Sequence, residues 1–339
     1  MASVNRSEYQ AEKGKNNMTR EARVLVVAKN SDAQEPFFQG RFEGTSIRFA
    51  RSQQEVTDAL ATFRPTVALC HHDGAIAKAG FLEILKSPDL EWLSNGGAGV
   101  EHLGKWDPTA RIVTNASGVN ARYLAEFTIA AHMAANVGLF RYQTLQRQHR
   151  WEQMYWKPFQ GRRFCVVGLG SVGRAVGAEA KRLGMQVVGT RGTARPTEGI
   201  DVVFGPDGLH TALTGADFVS VHAAQTPETI GLIDDAAFAA MPDGVIFLNA
   251  ARGPVVDEAA LIRALDAGKI GTAVLDVFDT EPLPADSPLW DYENVLITPH
   301  VADSISNWQE NMTAAFADNL ERWLAGKDLQ NIVDPALGY

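Results

Sequence analysis

The stretch 164–191 constrains the fold more than any other part of the sequence. It reads FCVVGLGSVGRAVGAEAKRLGMQVVGTR, and its first four residues are apolar without alternation, as in a parallel strand buried on both faces. Gly168, Gly170 and Gly173 then mark a turn, after which apolar residues recur at helical spacing and a second apolar run begins at Met185. The pattern predicts a strand, a glycine turn, a helix and a second strand in succession.

A G-x-G-x-x-G turn between a strand and a helix has a chemical use. It lets a pyrophosphate approach the backbone while the first N–H groups of the helix point at that anion. We therefore predict a dinucleotide site, with Ser171 and Val172 at the start of the helix. The alternative is a tight strand-to-helix turn in which the small residues serve packing alone.

The rest of the chain alternates between strand-like and helix-like segments, which predicts an α/β fold with parallel sheets. Strands are predicted at 23–28, 46–49, 66–70, 91–93 and 111–114 before the glycine turn, and at 202–204, 218–221, 245–248, 272–275 and 295–297 after it. With the two strands of 164–191, the second sheet should have seven strands, an ordinary number for a doubly wound sheet. Helices are predicted at 53–63, 80–85, 120–139, 257–265 and 304–324.

A chain of 339 residues exceeds what one core usually serves, so we predict two Rossmann-like domains. One is a flavodoxin-like domain, 22–119 with 304–339, and the other is a doubly wound dinucleotide-binding domain, 120–303, while 1–21 should be a disordered tail. The last helix should pack on the first domain, because it has an apolar stripe at helical spacing. That stripe consists of Trp308, Met312, Phe316, Leu320 and Trp323.

Composition excludes several classes of protein. A net charge of −9 argues against nucleic acid or an anionic membrane as the main partner. Cys70 and Cys165 are the only cysteines, and both lie in apolar strand-like runs, so we expect reduced core residues. No apolar run is long enough for a signal peptide or a membrane span, so a cytoplasmic protein is expected.

Polar residues follow three of the predicted strands, and ligands of open α/β sheets bind beyond the carboxyl ends of strands. Arg252 follows 245–248, Asp276 and then Glu281 follow 272–275, and His300 follows 295–297. An arginine can pair with a carboxylate and polarise a carbonyl, while a histidine oriented by a carboxylate can move a proton. This set suits hydride transfer to or from a carbonyl compound that also carries a carboxylate.

Each of these residues also has a structural interpretation. Arg252 could cap the helix 257–265, His300 could be a loop histidine with satisfied hydrogen bonds, and Glu281 could be a solvated turn residue.

Several of these segments resemble a known family, the D-isomer-specific 2-hydroxyacid dehydrogenases. GLGSVG, LNAARGPVVDEAALIRALDAGKIGTAVLDVFDTEPL and NVLITPH look like its signature blocks, and NGGAGVEHL is similar to its substrate-domain loop. The resemblance runs from about residue 22 to residue 301. It implies that Arg252 orients the substrate and that Glu281 and His300 are the acid/base pair. It also implies that 22–119 with 304–339 is the substrate domain, with a cleft between the two α/β domains, hinge closure and a homodimer.

The resemblance further implies a set of binding residues. The backbone of Ala98, Gly99 and Val100 would bind the substrate carboxylate, because exposed N–H groups of a glycine-flanked loop form an anion site. No metal is expected. Contacts with the cofactor are expected from Gly168, Gly170, Ser171, Val172, Gly173, Thr190, Arg191, Thr229, Ala250 and Asp276.

The sequence departs from the family pattern in two places. The acidic residue that would bind the ribose 2′-hydroxyl of NAD is absent, and the end of the second strand reads GTRGTAR. Arg191 could bind a 2′-phosphate there, so we predict NADP(H) in preference to NAD(H); alternatively, Arg191 stacks on adenine without discriminating. Ala223, Ala224 and Gln225 replace a segment that commonly contains proline, which leaves the wall near the nicotinamide less defined.

The sequence thus predicts a D-2-hydroxyacid dehydrogenase or 2-keto acid reductase that uses NADP(H), with NAD(H) possible. Glu281 argues against the formate dehydrogenase branch, which resembles a Gln/His pair, and Ala98 stands where phosphite dehydrogenases carry a lysine. A nucleotide-sensing scaffold, like the transcriptional corepressors of this fold, is the non-enzymatic alternative.

The sequence does not identify the substrate. Its side chain is expected to meet the loop at His71–His72–Asp73, the segment 151–156 and Trp290, or a partner subunit. A metal pair at His71 and His72 is disfavoured, because adjacent residues of a strand face opposite ways.

Overall fold

The structure is a computed structural model that describes residues 21–336 and residue 338. The predicted tail 1–21 thus lies outside the described residues, apart from the exposed Glu21. The chain divides into two compact units. Unit 1 runs to Val119 and resumes at Asn307, and unit 2 is Asn120–Ser306.

Unit 1 is a five-stranded parallel sheet flanked by helices. Its strands are β1 (Arg23–Val27), β2 (Ser46–Ala50), β3 (Val67–Cys70), β4 (Trp92–Asn95) and β5 (Ile112–Thr114). Its α-helices are α1 (Gln53–Thr62), α2 (Lys78–Lys86) and α9 (Trp308–Leu324). The strand order β2-β1-β3-β4-β5 is that of flavodoxin-like sheets.

The last helix covers one face of this sheet, as predicted from its apolar stripe. Phe316, Leu320 and Trp323 are buried in a cluster with Trp92 of β4. The ring of Trp92 stacks on Phe316 at 5.0 Å between centroids, and its indole N–H donates to Thr114 Oγ1 at 2.9 Å. The opposite face of the sheet forms a second buried cluster with α1 and α2.

Unit 2 is a seven-stranded parallel sheet, which confirms the predicted count. Its strands are β6 (Arg163–Val167), β7 (Gln186–Thr190), β8 (Val202–Phe204), β9 (Phe218–Val221), β10 (Val245–Asn249), β11 (Ile270–Leu275) and β12 (Val295–Ile297). Its α-helices are α3 (Ala121–Val137), α4 (Leu139–Arg147), α5 (Ser171–Arg182), α6 (Leu209–Leu213), α7 (Asp235–Ala240) and α8 (Glu258–Asp266).

The strand order of unit 2 locates its ligand-binding edge. The order is β12-β11-β10-β9-β6-β7-β8. The chain adds β7 and β8 on one side of β6, and then returns to add β9 to β12 on its other side, so the order reverses between β6 and β9. Ligands of doubly wound sheets bind beyond the carboxyl ends of the strands at such a switch point. The α/β architecture with two parallel sheets agrees with the predicted fold class.

The bounds of several predicted elements differ from the structure, and three of these differences are as follows. The helix predicted at 120–139 ends at Val137, because Gly138 adopts the left-handed φ of 80°, and a separate helix follows. β4 begins at Trp92 and continues to Asn95, beyond the predicted 91–93. The last helix begins at Trp308 and not at residue 304, because hydrogen bonds from Ser304 N to Val301 O and from Ile305 N to Asp303 O form turns there.

Cys70 and Cys165 are buried free thiols, as predicted. Burial raises the pKa of the Cys165 thiol to about 12. In the part of the chain that the structure describes, no helix is long and apolar enough to cross a membrane.

Candidate functional site

The glycine turn joins β6 to α5 at the switch point. Gly168 has φ 99°, and a Cβ there would lie 2.5 Å from Ala223 N, so the turn packs against the backbone that follows β9. A Cβ on Gly173 would lie 2.0 Å from Gly168 O, whereas one on Gly170 would meet nothing within 4 Å. The outer glycines are therefore required by packing, and the middle one lies open to an approaching ligand.

The start of α5 supplies hydrogen-bond donors at the same place. The first N–H groups of a helix have no acceptor within it, and here they include those of Ser171 and Val172, both partly exposed. Donors beside an open glycine backbone fit a pyrophosphate. The turn therefore fits a dinucleotide.

Thr190, Thr229 and Ala250, which were predicted to contact the cofactor, lie at or beyond the ends of other strands. Thr190 is 7% exposed, and its carbonyl accepts from Gly168 N at 3.1 Å. Thr229 Oγ1 accepts from Thr226 N at 2.7 Å and donates to Ala224 O at 2.6 Å, which orders the loop after β9. Ala250 is buried beyond β10.

Arg191 lies just beyond β7 and beside two further arginines. It lines a groove of about 840 Å³ with Arg174 of α5 and Arg195, and Glu198 lines it too. Partial burial lowers the pKa of Arg191, and the charges of Arg195 and Arg174 lower it further. Among the described residues these three arginines form no ion pair with a carboxylate. The groove is therefore suited to an anion.

Arg252 lies on a turn shaped by its neighbours. Asn249 Nδ2 donates to Arg252 O at 3.2 Å, and Arg252 Nη1 donates to Ala251 O at 2.7 Å. A Cβ on Gly253 would lie 2.0 Å from the carbonyl carbon of Phe278, so only glycine allows this turn to pack on the loop after β11. The helix that follows is capped by Asp257, not by Arg252.

Glu281 and His300 are in direct contact. His300 Nδ1 lies 2.7 Å from Glu281 Oε2, and Glu281 Oε1 accepts from Phe278 N at 3.0 Å. His300 has a left-handed φ of 53°, a conformation that non-glycine residues rarely adopt and that is enriched at functional sites. When Glu281 is ionised, its Oε2 accepts a hydrogen bond from Nδ1–H, which leaves Nε2 as the nitrogen that can exchange a proton with a substrate.

Asp276 is 1% exposed and holds the loop that carries His300. Its Oδ1 accepts from Thr298 Oγ1 at 2.5 Å and from Val301 N at 2.9 Å, and its Oδ2 accepts from Ala302 N at 3.0 Å. Both carboxylate oxygens are thus engaged within the protein. The predicted contact of Asp276 with the cofactor stays a prediction, and the structure gives the residue a positioning role.

The three groups that suit proton transfer and carboxylate binding share one edge of the sheet. Arg252, Glu281 and His300 follow β10, β11 and β12, which are parallel neighbours. Among the described residues, no group of three or more His, Cys, Asp or Glu side chains could hold a metal ion.

In unit 1, the loop after β4 contains the three predicted carboxylate-binding residues. Ala98 is exposed, Gly99 is partly exposed and Val100 is 3% exposed. Within the described chain their backbone N–H groups donate no hydrogen bond to the protein, as in loops that bind anions.

Sequence reasoning missed several residues around these sites. Arg174 directly follows the third glycine, so a search for a second cation near Arg191 would have found it. His72 was predicted only as a neighbour of the substrate's side chain. Its contact with Asn95, and the contact of Asn115 with Ala98, gave no sequence signal, because the partners lie 23 and 17 residues apart along the chain.

A sequence model of the NAD binding domain of D-isomer specific 2-hydroxyacid dehydrogenases matches residues 129–302. The chain belongs to this family. The matched residues include the glycine turn and all three strand-end groups, so the proposed machinery of unit 2 lies within the family domain.

Relatives in the family differ in length. D-3-phosphoglycerate dehydrogenase of Archaeoglobus fulgidus is 34% identical over 255 residues, which are 74% of this chain and 48% of that protein. The chain thus spans about half the length of this relative. Glyoxylate reductase of Korarchaeum cryptofilum is 32% identical over 259 residues, which are 73% of this chain and 77% of that protein.

Solved members of the family share the fold. A D-isomer specific 2-hydroxyacid dehydrogenase from Xanthobacter autotrophicus Py2, in complex with NADPH and MES, matches with a TM-score of 0.80 and 33% identity, over 94% of this chain and 100% of that chain.

Proposed function

We propose that the protein is an NADP(H)-dependent oxidoreductase that interconverts 2-keto acids and D-2-hydroxy acids. The observation that carries the proposal is the 2.7 Å contact between Glu281 and His300 on the sheet edge that also carries Arg252. Unit 2 would be the dinucleotide-binding domain and unit 1 the substrate domain. Membership in the family supports both assignments.

The cofactor would be held by the glycine turn. Gly168, Gly170 and Gly173 with the N–H groups of Ser171 and Val172 would bind the pyrophosphate. A bound nicotinamide would supply the hydride that reduces C2 of the keto acid.

His300 would give its Nε2 proton to the oxygen formed at C2. Glu281 holds Nδ1, so the imidazole is fixed in one orientation throughout the step. Arg252 would bind the substrate carboxylate or carbonyl and stabilise the developing negative charge. The N–H groups of Ala98, Gly99 and Val100 would bind the carboxylate.

NADP(H) would be preferred to NAD(H), because the groove at Arg191 gathers cations where a 2′-phosphate would lie. The solved relative that contains NADPH supports this preference. We also propose a homodimer and a cytoplasmic location; the free buried cysteines support a reducing compartment.

Turnover of a 2-keto acid panel tests the proposal. Glyoxylate, hydroxypyruvate, pyruvate and phenylpyruvate are supplied with NADPH, and NADPH consumption and product chirality are measured. We expect a D-2-hydroxy acid from at least one of them. His300→Ala should lower kcat by about 10²–10⁴-fold, the usual contribution of a general acid, with NADPH affinity unchanged.

The control is His210→Ala, which removes an exposed imidazole from α6. Retained turnover in both His300→Ala and Arg252→Ala would refute the residue assignment. If the wild-type protein binds NADPH but reduces none of the four acids, the nucleotide-sensing scaffold replaces the enzyme.

A further inference from the structure

The loop 97–100 of unit 1 separates its hydrogen-bond acceptors from its donors: its carbonyl groups are bonded to the protein, whereas three of its N–H groups are not. Each of its four carbonyl groups accepts a hydrogen bond from within unit 1, from Asn95, Asn115 or a backbone N–H. In the described chain, the N–H groups of Ala98, Gly99 and Val100 have no protein acceptor. Carbonyl oxygens repel an anion and N–H groups attract it, so this separation is what makes the loop suitable for a carboxylate.

Two buried asparagines produce the separation. Asn95 Nδ2 donates to Gly97 O and to Gly99 O, both at 2.9 Å, and Asn115 Nδ2 donates to Ala98 O at 2.7 Å. The two side chains belong to residues that are 1% and 8% exposed. Each asparagine therefore holds loop carbonyl groups pointing toward the interior of unit 1.

The orientation of each amide is fixed by a donor on its oxygen. Asn115 Oδ1 accepts from Ser117 N at 3.1 Å. Asn95 Oδ1 lies 2.7 Å from His72 Nε2, and because Asn95 Nδ2 faces two carbonyls, the histidine must donate. His72 thus carries a proton on Nε2.

The ring of His72 is itself held in place. It stacks on Phe81 at 4.8 Å between centroids and meets the ring of His102 edge-on at 4.5 Å. A Cβ on Gly97 would lie 3.3 Å from His72 Cδ2, so the imidazole packs directly against the loop. His72 therefore acts on the loop in two ways, by direct packing and through its hydrogen bond with Asn95.

We propose that His72, Asn95 and Asn115 are positioning residues that turn the N–H groups of the loop toward the carboxylate of a 2-keto acid. The inference rests on the proposed function for the identity of the substrate. It adds side chains that determine carboxylate affinity without touching the substrate.

Binding of oxalate to the full-length protein with NADP⁺ tests the proposal without requiring turnover. Oxalate serves as the probe because it offers the carboxylate of a 2-keto acid but cannot accept hydride. Its Kd is measured by calorimetry for wild type, His72→Phe, His72→Gln, Asn95→Asp and, as control, His210→Phe. NADP⁺ affinity and the unfolding temperature are measured alongside.

His72→Phe keeps the stack on Phe81 but loses the donor, so oxalate should bind about tenfold more weakly, as for one lost hydrogen bond. His72→Gln keeps a donor, so its affinity for oxalate should fall less. Asn95→Asp places a carboxylate against two loop carbonyls, so its affinity for oxalate should fall the most. If Asn95→Asp does not fold, the exposed position His72 still decides the matter. NADP⁺ affinity and His210→Phe should match wild type.

Wild-type oxalate affinity in both His72 variants would overturn the proposal, and so would a wild-type protein that does not bind oxalate. A merely structural role would weaken NADP⁺ and oxalate together. Oxalate binding without turnover of any keto acid would overturn the proposed function and leave this inference standing. In an active enzyme, His72→Phe should lower kcat/KM for a keto acid more than for its methyl ester, which lacks the carboxylate charge.

Discussion

Arg191 carries a positive charge at the position where dinucleotide folds that select NAD have an acidic residue. It is joined there by Arg174 and Arg195 around one groove. Bringing three like charges together is unfavourable without an anion. A 2′-phosphate would relieve this repulsion through charge-assisted hydrogen bonds.

We therefore predict that Arg191→Asp lowers kcat/KM for NADPH by about 10- to 100-fold, the equivalent of losing one hydrogen bond to a charged group. The same variant should have a higher kcat/KM for NADH than wild type. Arg174→Ala should lower kcat/KM for NADPH but not for NADH. Arg182→Ala is the control, because Arg182 lines the groove but is paired with Glu179. Steady-state kinetics with both cofactors measure the effect; a wild-type preference for NADH would contradict it.

At the scale of residues, the sequence predicted groups whose role depends on local spacing. Gly168, Gly170 and Gly173 were recognisable because a glycine turn is encoded within six residues. The contact between Glu281 and His300 was predicted from a resemblance and from strand ends. The hydrogen bond between His72 and Asn95 was not, because it depends on the packing of β3 beside β4.

At the scale of elements, α3 buries a histidine against the sheet. The ring of His132 is fully buried between Phe164 and Phe218, at 4.9 and 5.6 Å, and in the described chain neither ring nitrogen has a hydrogen-bond partner. Burial, with a smaller contribution from the nearby His222, lowers the pKa of His132 to about 3. The folded state therefore holds this imidazole neutral.

This burial makes stability depend on pH. The unfolded chain takes up a proton at His132 below about pH 6.5, whereas the folded chain does not until about pH 3. Stability is thus fully present above pH 6.5 and falls as the pH is lowered through that window. At pH 5 the loss from this residue is about 2 kcal/mol.

His132→Leu should remove that loss. Urea unfolding of the protein at pH 7.5 and at pH 5 gives two free energies of unfolding, and their difference should be about 2 kcal/mol smaller in the variant than in wild type. His210→Leu, on the exposed side of α6, should leave the difference unchanged. An equal pH dependence in wild type and His132→Leu would exclude the effect.

The elements themselves were largely predictable. Strands buried on both faces appear as continuous apolar runs, so the positions of the strands of both sheets could be predicted from the sequence. The break at Gly138 was not predicted, because glycine is tolerated inside helices and only the structure shows its left-handed conformation.

At the scale of the whole molecule, unit 2 presents aromatic side chains that nothing in the described chain covers. Trp151 and Tyr155 are 102% and 89% exposed. Their segment is nevertheless fixed, since Tyr142 Oη bonds both Met154 N and Met154 O, and Asn136 Nδ2 donates to Lys157 O. An ordered segment with exposed aromatic rings of this kind fits a second copy of the chain.

We expect light scattering after size exclusion to give, for wild type, twice the mass of one chain, which is 36.8 kDa. Trp151→Glu should shift the protein toward the monomer, because a charge would be buried in the interface. Trp290→Glu, at an exposed tryptophan in the short 3-10 helix Pro288–Asp291, should not. A monomeric wild type would refute the homodimer.

The discontinuity of unit 1 sets an order of folding during synthesis. All seven strands of unit 2 have been made once Ile297 is added, so this unit can close its core while the chain is still growing. Unit 1 has its five strands much earlier, but Trp92 lacks its covering helix until Trp323 emerges. The unit whose strands are translated first is therefore the last to be completed, and it is the unit that a nascent-chain chaperone would have to protect.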